Sequence, residues 1–225
     1  MTTAPLRLFS GPLSMFGMKA QIALLEKGLA FDLVMVPFKT SYEPKHPEVL
    51  RINPKRQVPV LIDDDLELFD STQIFEYLED LKPDPALWPR DIKARARARQ
   101  LELKADEVYF PHVIRLMGLQ QDLAGAEAVA AKAGAAAFCR EIDAQLADRE
   151  YLAGDFGFAD IALYMAQLFG ERMGAPLDQS TPQLIAWRAR LTARPSISAV
   201  MHALVNYLAV NGREIPAFIA HLRSA

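Results

Sequence analysis

Apolar and polar positions in the N-terminal part of the chain follow a strand, helix, strand pattern. Residues 6–9 alternate as a short strand does, 15–27 carry an apolar stripe at helical spacing, and 31–38 form a second apolar run. A helix between two strands at this spacing predicts a βαβ unit, in which the two strands run parallel. A short helical stretch at 47–52 follows after a polar loop.

The next stretch, residues 53–80, predicts a β-hairpin and then a helix. An apolar, β-rich run at 58–62 is broken by three aspartates, and residues 66–69 alternate as a half-buried partner strand does. Pro59 stands at the start of this hairpin, where it cannot donate to a ladder. It indicates a bend or a cis bond that leaves the backbone groups of Val58 unpaired.

Asp70 and Ser71 lie directly before the helical pattern that follows the hairpin. Both residue types cap helix N-termini well, so the start of this helix is clearly marked. The pair also brings a carboxylate and a hydroxyl to a helix N-terminus that has free N–H groups. This set suits the two charged ends of an amino acid, with Asp70 facing an ammonium group and the helix facing a carboxylate. An ordinary hairpin followed by a capped helix is the alternative.

The composition changes after a proline-containing linker. Strand-forming residues become rare beyond Asp91, and Ala, Leu, Glu and Arg dominate. The sequence therefore predicts an α/β domain at 1–82, a linker at 83–89 and an all-helical domain at 90–225. The helices predicted in the second domain cover 91–121 with a kink near Pro111, 124–150, 158–172, 182–194, 195–210 and 215–222.

Composition and charge narrow the classes of function. The chain has 225 residues, a hydrophobic content of 51% and a net charge of −3, so it can bury a sizeable core and lacks a basic character for nucleic acid. The single cysteine, Cys139, excludes a disulfide framework, and the four histidines show no metal-ligand spacing, so no metal is predicted. The apolar runs are too short for a membrane span and the N-terminus is unlike a signal peptide, which predicts a cytoplasmic protein.

The helix that begins the second domain carries a basic run, KARARAR at 93–99. Because the charges occur at every second residue, a helix spreads them around its axis and does not gather them on one face. The acidic total charge agrees with this. We expect a solvated helix start here and not a nucleic-acid site.

Four motifs, in order along the chain, resemble the soluble glutathione transferases of the serine type, bacterial and plant tau-like. SMFGMK at 14–19 is similar to the active-site turn, and QVPVL at 57–61 is similar to the loop with a cis proline. Asp70-Ser71 resembles the acidic-serine pair that holds the γ-glutamyl end of glutathione, and GDFGFAD at 154–160 resembles the capping box of the helical domain. The likeness covers essentially the whole chain and implies a thioredoxin-like α/β domain followed by an all-α domain.

The resemblance implies a homodimeric detoxification enzyme that conjugates glutathione, its co-substrate, to a small hydrophobic electrophile. Ser14 would donate its hydroxyl to the glutathione thiolate, and a plain helix cap is the alternative role for this residue. A free thiol has a pKa of about 8.5, and a hydroxyl donor together with a helix N-terminus favours the anion. Ser10, at the end of the first strand, is the alternative residue for the same role.

The remaining site residues follow from the same motifs. Val58 would pair its backbone with the cysteinyl part of glutathione, as an added strand does, whereas Lys45 and Gln57 have an ordinary surface position as their alternative. The residues implied to bind glutathione are Phe16, Lys45, Gln57, Val58, Pro59, Asp70 and Ser71. Those implied to line the co-substrate pocket, with plain core packing as the alternative, are Tyr109, His112, Val113 and Leu116.

Three positions depart from the family pattern. Met15 stands where a proline usually follows the serine, Gly157 replaces a Ser or Thr cap, and Arg56-Gln57 replaces a Gly-Lys pair. A glycine cap lacks the side-chain acceptor, so we expect a cost of about a few tenths of a kcal/mol at that helix start. Asp160 can still reach back to the start of this helix as the second half of the capping box.

Three other functions share the implied fold. One is a different glutathione-dependent enzyme, such as an isomerase, a dehalogenase or an ether-cleaving enzyme; the Ser-Cys pair typical of the isomerases is absent. The second is a non-catalytic fold-mate that binds proteins, like the stringent-starvation regulators, which the Asp-Ser and Val-Pro motifs disfavour. The third is a thiol-disulfide reductase, which is disfavoured because Cys139 falls in the helical domain, where we expect it to be buried.

Overall fold

The computed structural model describes residues 5–37 and 46–223. The chain divides into two compact units, Met1–Pro85 and Ala86–Ala225. This division falls within the linker predicted at 83–89. Among the described residues, no helix combines the length and the apolar character that a bilayer crossing requires.

The first unit is an α/β structure with a four-stranded sheet. Its elements are β1 (Leu6–Ser10), α1 (Met15–Glu26), β2 (Phe31–Met35), α2 (Pro47–Ile52), β3 (Val60–Asp63), β4 (Leu66–Phe69) and α3 (Ser71–Leu81). The strand order is β2-β1-β3-β4, in which β1 and β2 are parallel and the other two pairs are antiparallel. The strand predicted at 31–38 ends at Met35. It ends early because Pro37 has no N–H with which to continue the ladder.

At the two central strands, β1 and β3, both faces of the sheet carry buried apolar residues. Phe9 and Val60 pack on one face into a cluster with Val49 of α2. Leu8 and Leu61, which alternate with them along the strands, are buried on the other face. Because β3 is antiparallel to both β1 and β4, the latter two strands run in the same direction. The helices that follow them, α1 and α3, therefore begin at the same end of the sheet, and they contact each other.

A fully buried lysine anchors the C-terminal end of α1. Lys27 is 0% exposed, and its Nζ donates to Glu79 Oε2 at 2.5 Å and to the carbonyls of Lys82 and Pro85 at 2.8 and 2.7 Å. Each of the three ammonium protons thus has an acceptor, which is the condition under which a buried charge is tolerated. The contacts tie α1 to the end of α3 and to the residues that follow it.

The second unit is helical, as predicted. It comprises α4 (Ile92–Lys104), a π-helical segment (Ala105–Tyr109), α5 (Phe110–Gly118), α6 (Ala126–Gln145), α7 (Phe158–Arg172), α8 (Pro182–Thr192), α9 (Pro195–Val210) and a 3-10 helix (Ala217–Leu222). The single helix predicted over 91–121 is therefore two helices around a π-helical segment. Pro111 explains the interruption, because proline has no N–H and its ring conflicts with a carbonyl of the preceding turn.

The core of the second unit surrounds α7, which is buried from Phe158 through Gly170. Asp160, in the first turn, is 0% exposed and accepts three hydrogen bonds. Its Oδ1 accepts from Leu152 N at 3.0 Å and from Trp187 Nε1 at 2.8 Å, and its Oδ2 accepts from Gly157 N at 3.1 Å. Burial raises the pKa of Asp160 to about 6, against the lowering effect of these donors. One carboxylate thus joins the start of α7, the preceding loop and α8.

Gly157, the residue before α7, has no room for a side chain. A Cβ at this position would lie 2.3 Å from the carbonyl oxygen of Leu87. That carbonyl accepts from Phe158 N at 3.1 Å and is therefore fixed in place. The sequence predicts a small loss from the missing Ser or Thr cap, but the backbone contact shows that a larger residue at this position would force the backbone to shift.

Gly157→Ser is expected to destabilise the protein by about 1–3 kcal/mol, although serine is the better helix cap. The reason is the clash of the new Cβ with the Leu87 carbonyl. The free energy of unfolding in urea measures the effect. Gly118→Ser is a matched control, because a Cβ at residue 118 meets no atom within 4 Å. A gain in stability for Gly157→Ser would contradict the steric argument.

Candidate functional site

The register of the sheet brings three predicted motifs to one end. Phe9, Val60 and Phe69 lie in one row across β1, β3 and β4. The SMFGMK turn follows β1 just beyond this row, the Val-Pro loop leads into β3, and the Asp-Ser pair follows β4. Adjacent strands are about 4.8 Å apart, so the three motifs are neighbours at the end where α1 and α3 begin. Two helix N-termini there favour a negatively charged group.

Ser14 caps α1 at this end of the sheet. Its Oγ accepts a hydrogen bond from Gly17 N at 3.0 Å. Since this bond uses the oxygen as an acceptor, the hydroxyl proton remains available for donation. The residue keeps a small exposed fraction, 9%. The helix cap and a donor role toward a bound anion are therefore compatible in the same residue.

Ser10, the alternative hydroxyl, is enclosed by α1. It is 0% exposed, and its Oγ accepts from Gln21 Nε2 at 2.8 Å. A Cβ at Gly17 would lie 2.2 Å from Ser10 Oγ and 3.2 Å from Ser14 Oγ, so the bare backbone of Gly17 lies between the two hydroxyls. The structure therefore favours Ser14 over Ser10 as the group that can reach a ligand.

The Val58–Pro59 peptide bond is cis, one of the two geometries that the sequence predicted. Val58 lies outside β3, which starts at Val60. Within residues 5–37 and 46–223, neither the N–H nor the C=O of Val58 makes a hydrogen bond. Val58 thus leaves one donor and one acceptor for an extended ligand.

Asn53 builds the turn that carries Val58. It is 3% exposed, and its Nδ2 donates to Gln57 O at 2.6 Å while its Oδ1 accepts from Lys55 N at 2.9 Å. Its own carbonyl accepts from Arg56 N at 2.8 Å. One buried amide therefore fixes residues 53–57 immediately before the unpaired backbone of Val58.

Asp70 caps α3 with only one of its two carboxylate oxygens. Oδ1 accepts from Thr72 N at 3.0 Å and from Gln73 N at 3.4 Å. No donor among the described residues contacts Oδ2, which leaves this oxygen for a ligand. The backbone φ of Asp70 is +78°, a value rare for residues other than glycine. Ser71, the next residue, is 2% exposed and begins α3.

Phe16 lies in the first turn of α1 and is partly buried. Its ring centroid is 5.4 Å from Lys19 Nζ, and this ammonium group is also 5.3 Å from the ring centroid of Phe75 in α3. Lys19 is 0% exposed. Cation–π attraction therefore joins the first turns of α1 to α3 and adds a positive charge to the unit that carries Ser14.

Most of the remaining predicted site residues lie outside the described residues, at the surface or in the core. Lys45 lies outside the described residues. Gln57 has an exposed side chain, so a role in binding stays a prediction. The predicted co-substrate residues Tyr109, Val113 and Leu116 are all 0% exposed, which agrees with the alternative of plain core packing, and their role in a co-substrate pocket stays a prediction.

Tyr109 and His112 show how this part of the second unit is packed. Tyr109 lies with its ring centroid 5.3 Å from that of Phe138, and burial raises the pKa of its hydroxyl well above the usual range. His112 is partly exposed and lies against α6, where a Cβ at Gly134 would be 2.3 Å from its imidazole. Both side chains therefore serve the packing of α5 and α7 against α6.

Two residues that shape the site were missed in the sequence. Asn53 stands before Pro54, and an Asn-Pro pair is a turn signal that could have pointed to it. Gln21 carried no local signal, because its bond to Ser10 joins a helix to a strand.

Known proteins resemble this chain over most of its length. Residues 8–86 match the model of the glutathione S-transferase N-terminal domain, and residues 109–195 match that of the C-terminal domain. A probable glutathione S-transferase, parC, of Nicotiana tabacum is 31% identical over 196 residues, which are 82% of this chain and 84% of the relative. The chain belongs to the glutathione S-transferase family. This confirms the family, the fold class and the enzyme class that the sequence predicted.

Solved glutathione S-transferases have the same fold as this glutathione S-transferase. The crystal structure of one from Methylobacterium radiotolerans, in complex with glutathione sulfonate, has a TM-score of 0.75 and 30% identity, and the match covers 88% of this chain and 94% of that one. A stringent starvation protein A homolog of Coxiella burnetii is 35% identical, but over only 46% of this chain and 47% of the relative.

Proposed function

We propose that this glutathione S-transferase binds glutathione at the end of the sheet where α1 and α3 begin, and conjugates the sulfur to a hydrophobic electrophile. The γ-glutamyl part would lie at Asp70 and Ser71, with the free Oδ2 accepting from the α-ammonium group and the N-terminus of α3 facing the α-carboxylate. The cysteinyl part would pair its backbone with the N–H and C=O of Val58.

Ser14 would then stabilise the glutathione thiolate by donating its hydroxyl proton. The thiol releases its proton to solvent, the sulfur attacks an electrophilic carbon, a carbon–sulfur bond forms, and the leaving group departs with the bonding electrons. Binding supplies the positioning, and stabilisation of the anion lowers the barrier. A protein cysteine has no part in this, because Cys139 is buried and burial raises the pKa of its thiol to about 12.

The main support for this proposal is the register of the sheet. It brings a donor hydroxyl, a stretch of unpaired backbone and a half-used carboxylate to one end of one unit. These three groups complement a thiolate, a peptide backbone and an α-ammonium group, which occur together in glutathione. The predicted homodimer, cytoplasmic location and detoxification role stay predictions from the resemblance.

Asp70→Asn is expected to weaken glutathione binding about 10- to 100-fold, because a hydrogen bond to a charged group contributes about 1.5–3 kcal/mol. Asparagine is an equally good helix cap, so α3 should fold normally. Isothermal titration calorimetry with glutathione measures the change. Asp65→Asn removes the same charge from an exposed turn at the opposite end of β4 and should leave the affinity unchanged.

Conjugation of 1-chloro-2,4-dinitrobenzene, followed by absorbance, tests the reaction itself. Absence of glutathione binding to the wild type at millimolar concentration would overturn the proposal. Binding without turnover of any electrophile would favour a binding role, for which the partial match to the stringent starvation protein A homolog is the supporting observation.

A further inference from the structure

A cavity of about 420 Å³ lies in the helical unit, and all of its lining residues belong to that unit. Its walls are α4, the C-terminal end of α6 and residues 152–154 before α7. The volume falls in the range of sites for small molecules, which is about 300–1,000 Å³. Nothing in the proposed glutathione chemistry uses this cavity.

The cavity has a positive lining on a protein of net charge −3. Arg97, Lys104 and Arg149 face it, together with Gln100 and Gln145, and no Asp or Glu is among its lining residues. Arg97 and Lys104 are seven residues apart in α4 and therefore lie on one side of this helix. Arg97 is part of the basic run at 93–99, whose charges are spread around the helix axis. A concave surface lined by one sign of charge concentrates ligands of the opposite sign.

Two of these cations have no carboxylate partner among the residues that the structure describes. The side chains of Arg97 and Arg149 make no hydrogen bond or ion pair with any residue in the described ranges. Lys104 Nζ is 3.0 Å from Glu141 Oε1, but both side chains are substantially exposed, so this pair is weak. The arginines keep their full set of planar donors for a ligand.

We propose that this cavity binds a small polyanion that carries phosphate or sulfonate groups, at residues none of which belongs to the proposed glutathione site. The guanidinium groups of Arg97 and Arg149 would each bind an anionic group bidentately, and Lys104 would add a point charge. The amide of Gln100 supplies a neutral donor and acceptor, and that of Gln145, whose Nε2 donates to Glu141 Oε1 at 3.4 Å, supplies a neutral acceptor. A concave space of this size fits a small molecule and not a nucleic-acid duplex, which needs an extended basic face.

The wall of the cavity also connects it to the core. Leu152, one of the lining residues, donates its N–H to the buried carboxylate of Asp160 at the start of α7. A ligand that orders residues 152–154 would therefore stabilise the folded helical unit, because binding to the folded state alone raises the free energy of unfolding.

Titration calorimetry of the full chain with inorganic tripolyphosphate, in 0.1 M sodium chloride, tests the proposal. The wild type should bind one equivalent, and Arg97→Gln/Arg149→Gln should weaken binding at least about tenfold. Arg115→Gln/Arg213→Gln removes two exposed positive charges outside the cavity and should change the affinity less than about twofold. Glutathione conjugation should be unaffected in both double variants.

A melting curve adds a second readout. Tripolyphosphate should raise the melting temperature of the wild type and of the control variant, but not that of Arg97→Gln/Arg149→Gln. Absence of saturable binding at millimolar tripolyphosphate would overturn the proposal. Equal weakening in the two double variants would also overturn it, since it would mean that only the overall charge attracts the anion.

Discussion

Ser14→Ala is expected to lower kcat for glutathione conjugation about 10- to 100-fold at neutral pH. The variant loses a hydrogen bond to a charged group, which contributes about 1.5–3 kcal/mol. The lost hydrogen bond is the one to the thiolate. The peptide part of glutathione would still be held by Val58 and Asp70. The KM for glutathione should therefore change by less than about threefold.

The dependence of the rate on pH distinguishes this role from a structural one. Because one pKa unit corresponds to about 1.36 kcal/mol, the pKa of the bound thiol should rise by about 1–2 units in Ser14→Ala. The rates of the variant and the wild type should then converge at high pH, where both thiols are ionised. A variant whose helix start was merely damaged would be slower at every pH.

Two further variants serve as controls. Ser14→Thr keeps a hydroxyl that can cap the helix and donate, so it should recover most of the activity. Ser10→Ala removes a hydroxyl that is fully enclosed and bonded to Gln21, so it should leave the thiol pKa unchanged. If Ser14→Ala had the pH profile of the wild type, the thiolate would be stabilised by backbone N–H groups of α1.

Asp160→Ala is expected to lower the free energy of unfolding by about 3–5 kcal/mol. The substitution leaves three buried donors, two backbone N–H groups and the Trp187 indole, without an acceptor. Each unsatisfied buried donor costs about 1–3 kcal/mol, although the loop before α7 can relax in part. Chemical unfolding followed by circular dichroism measures the difference.

The effect should depend on pH with a definite sign. The pKa of Asp160 is raised by burial to about 6 in the folded protein, above its ordinary value of 3.8. Between these two values the folded state holds a proton that the unfolded state has released. The stabilising contribution of Asp160 therefore decreases as the pH rises from about 4 to about 6, so the loss in Asp160→Ala should be larger near pH 5 than at pH 7.5.

Asp155→Ala is the matched control for this prediction. Asp155 is exposed and lies in the same loop, so its removal should change the stability by less than about 0.5 kcal/mol. The loss of stability in Asp160→Asn should lie between the losses in Asp160→Ala and Asp155→Ala. The amide oxygen can still accept from Leu152 and Trp187, but the NH₂ group would oppose the N–H of Gly157. A loss in Asp160→Ala no larger than in the control would contradict the argument.

Much of the fold follows from local patterns in the sequence. The predicted ranges of α2, β4, α7 and α9 agree with the structure, because period, caps and prolines mark them within a few residues. The π-helical segment inside the predicted 91–121 helix was only partly foreseen. Pro111 indicated a kink, but whether the helix bends or inserts an extra residue depends on how Tyr109 packs against α6 and α7.

The motifs of the site could be predicted from the sequence, but the contacts between residues that are distant in the sequence could not. The Asp-Ser and Val-Pro motifs are local, so their chemistry could be stated from the sequence. The choice between Ser10 and Ser14 depended on Gln21, and the need for glycine at 157 depended on Leu87, which is far away in the sequence. The pocket role of Tyr109 could not be separated from core packing, because apolar spacing on a helix is the same in both cases.

The positive φ of Asp70 implies a conflict between stability and binding. A non-glycine residue in such a conformation costs about 1–3 kcal/mol of strain, which glycine would avoid. Glycine is also a tolerated helix cap, so selection for folding alone would favour it at this position. The chain instead keeps a carboxylate there. A search for thermostable variants that ignored ligand binding would thus tend to remove the group on which the proposed affinity for glutathione depends.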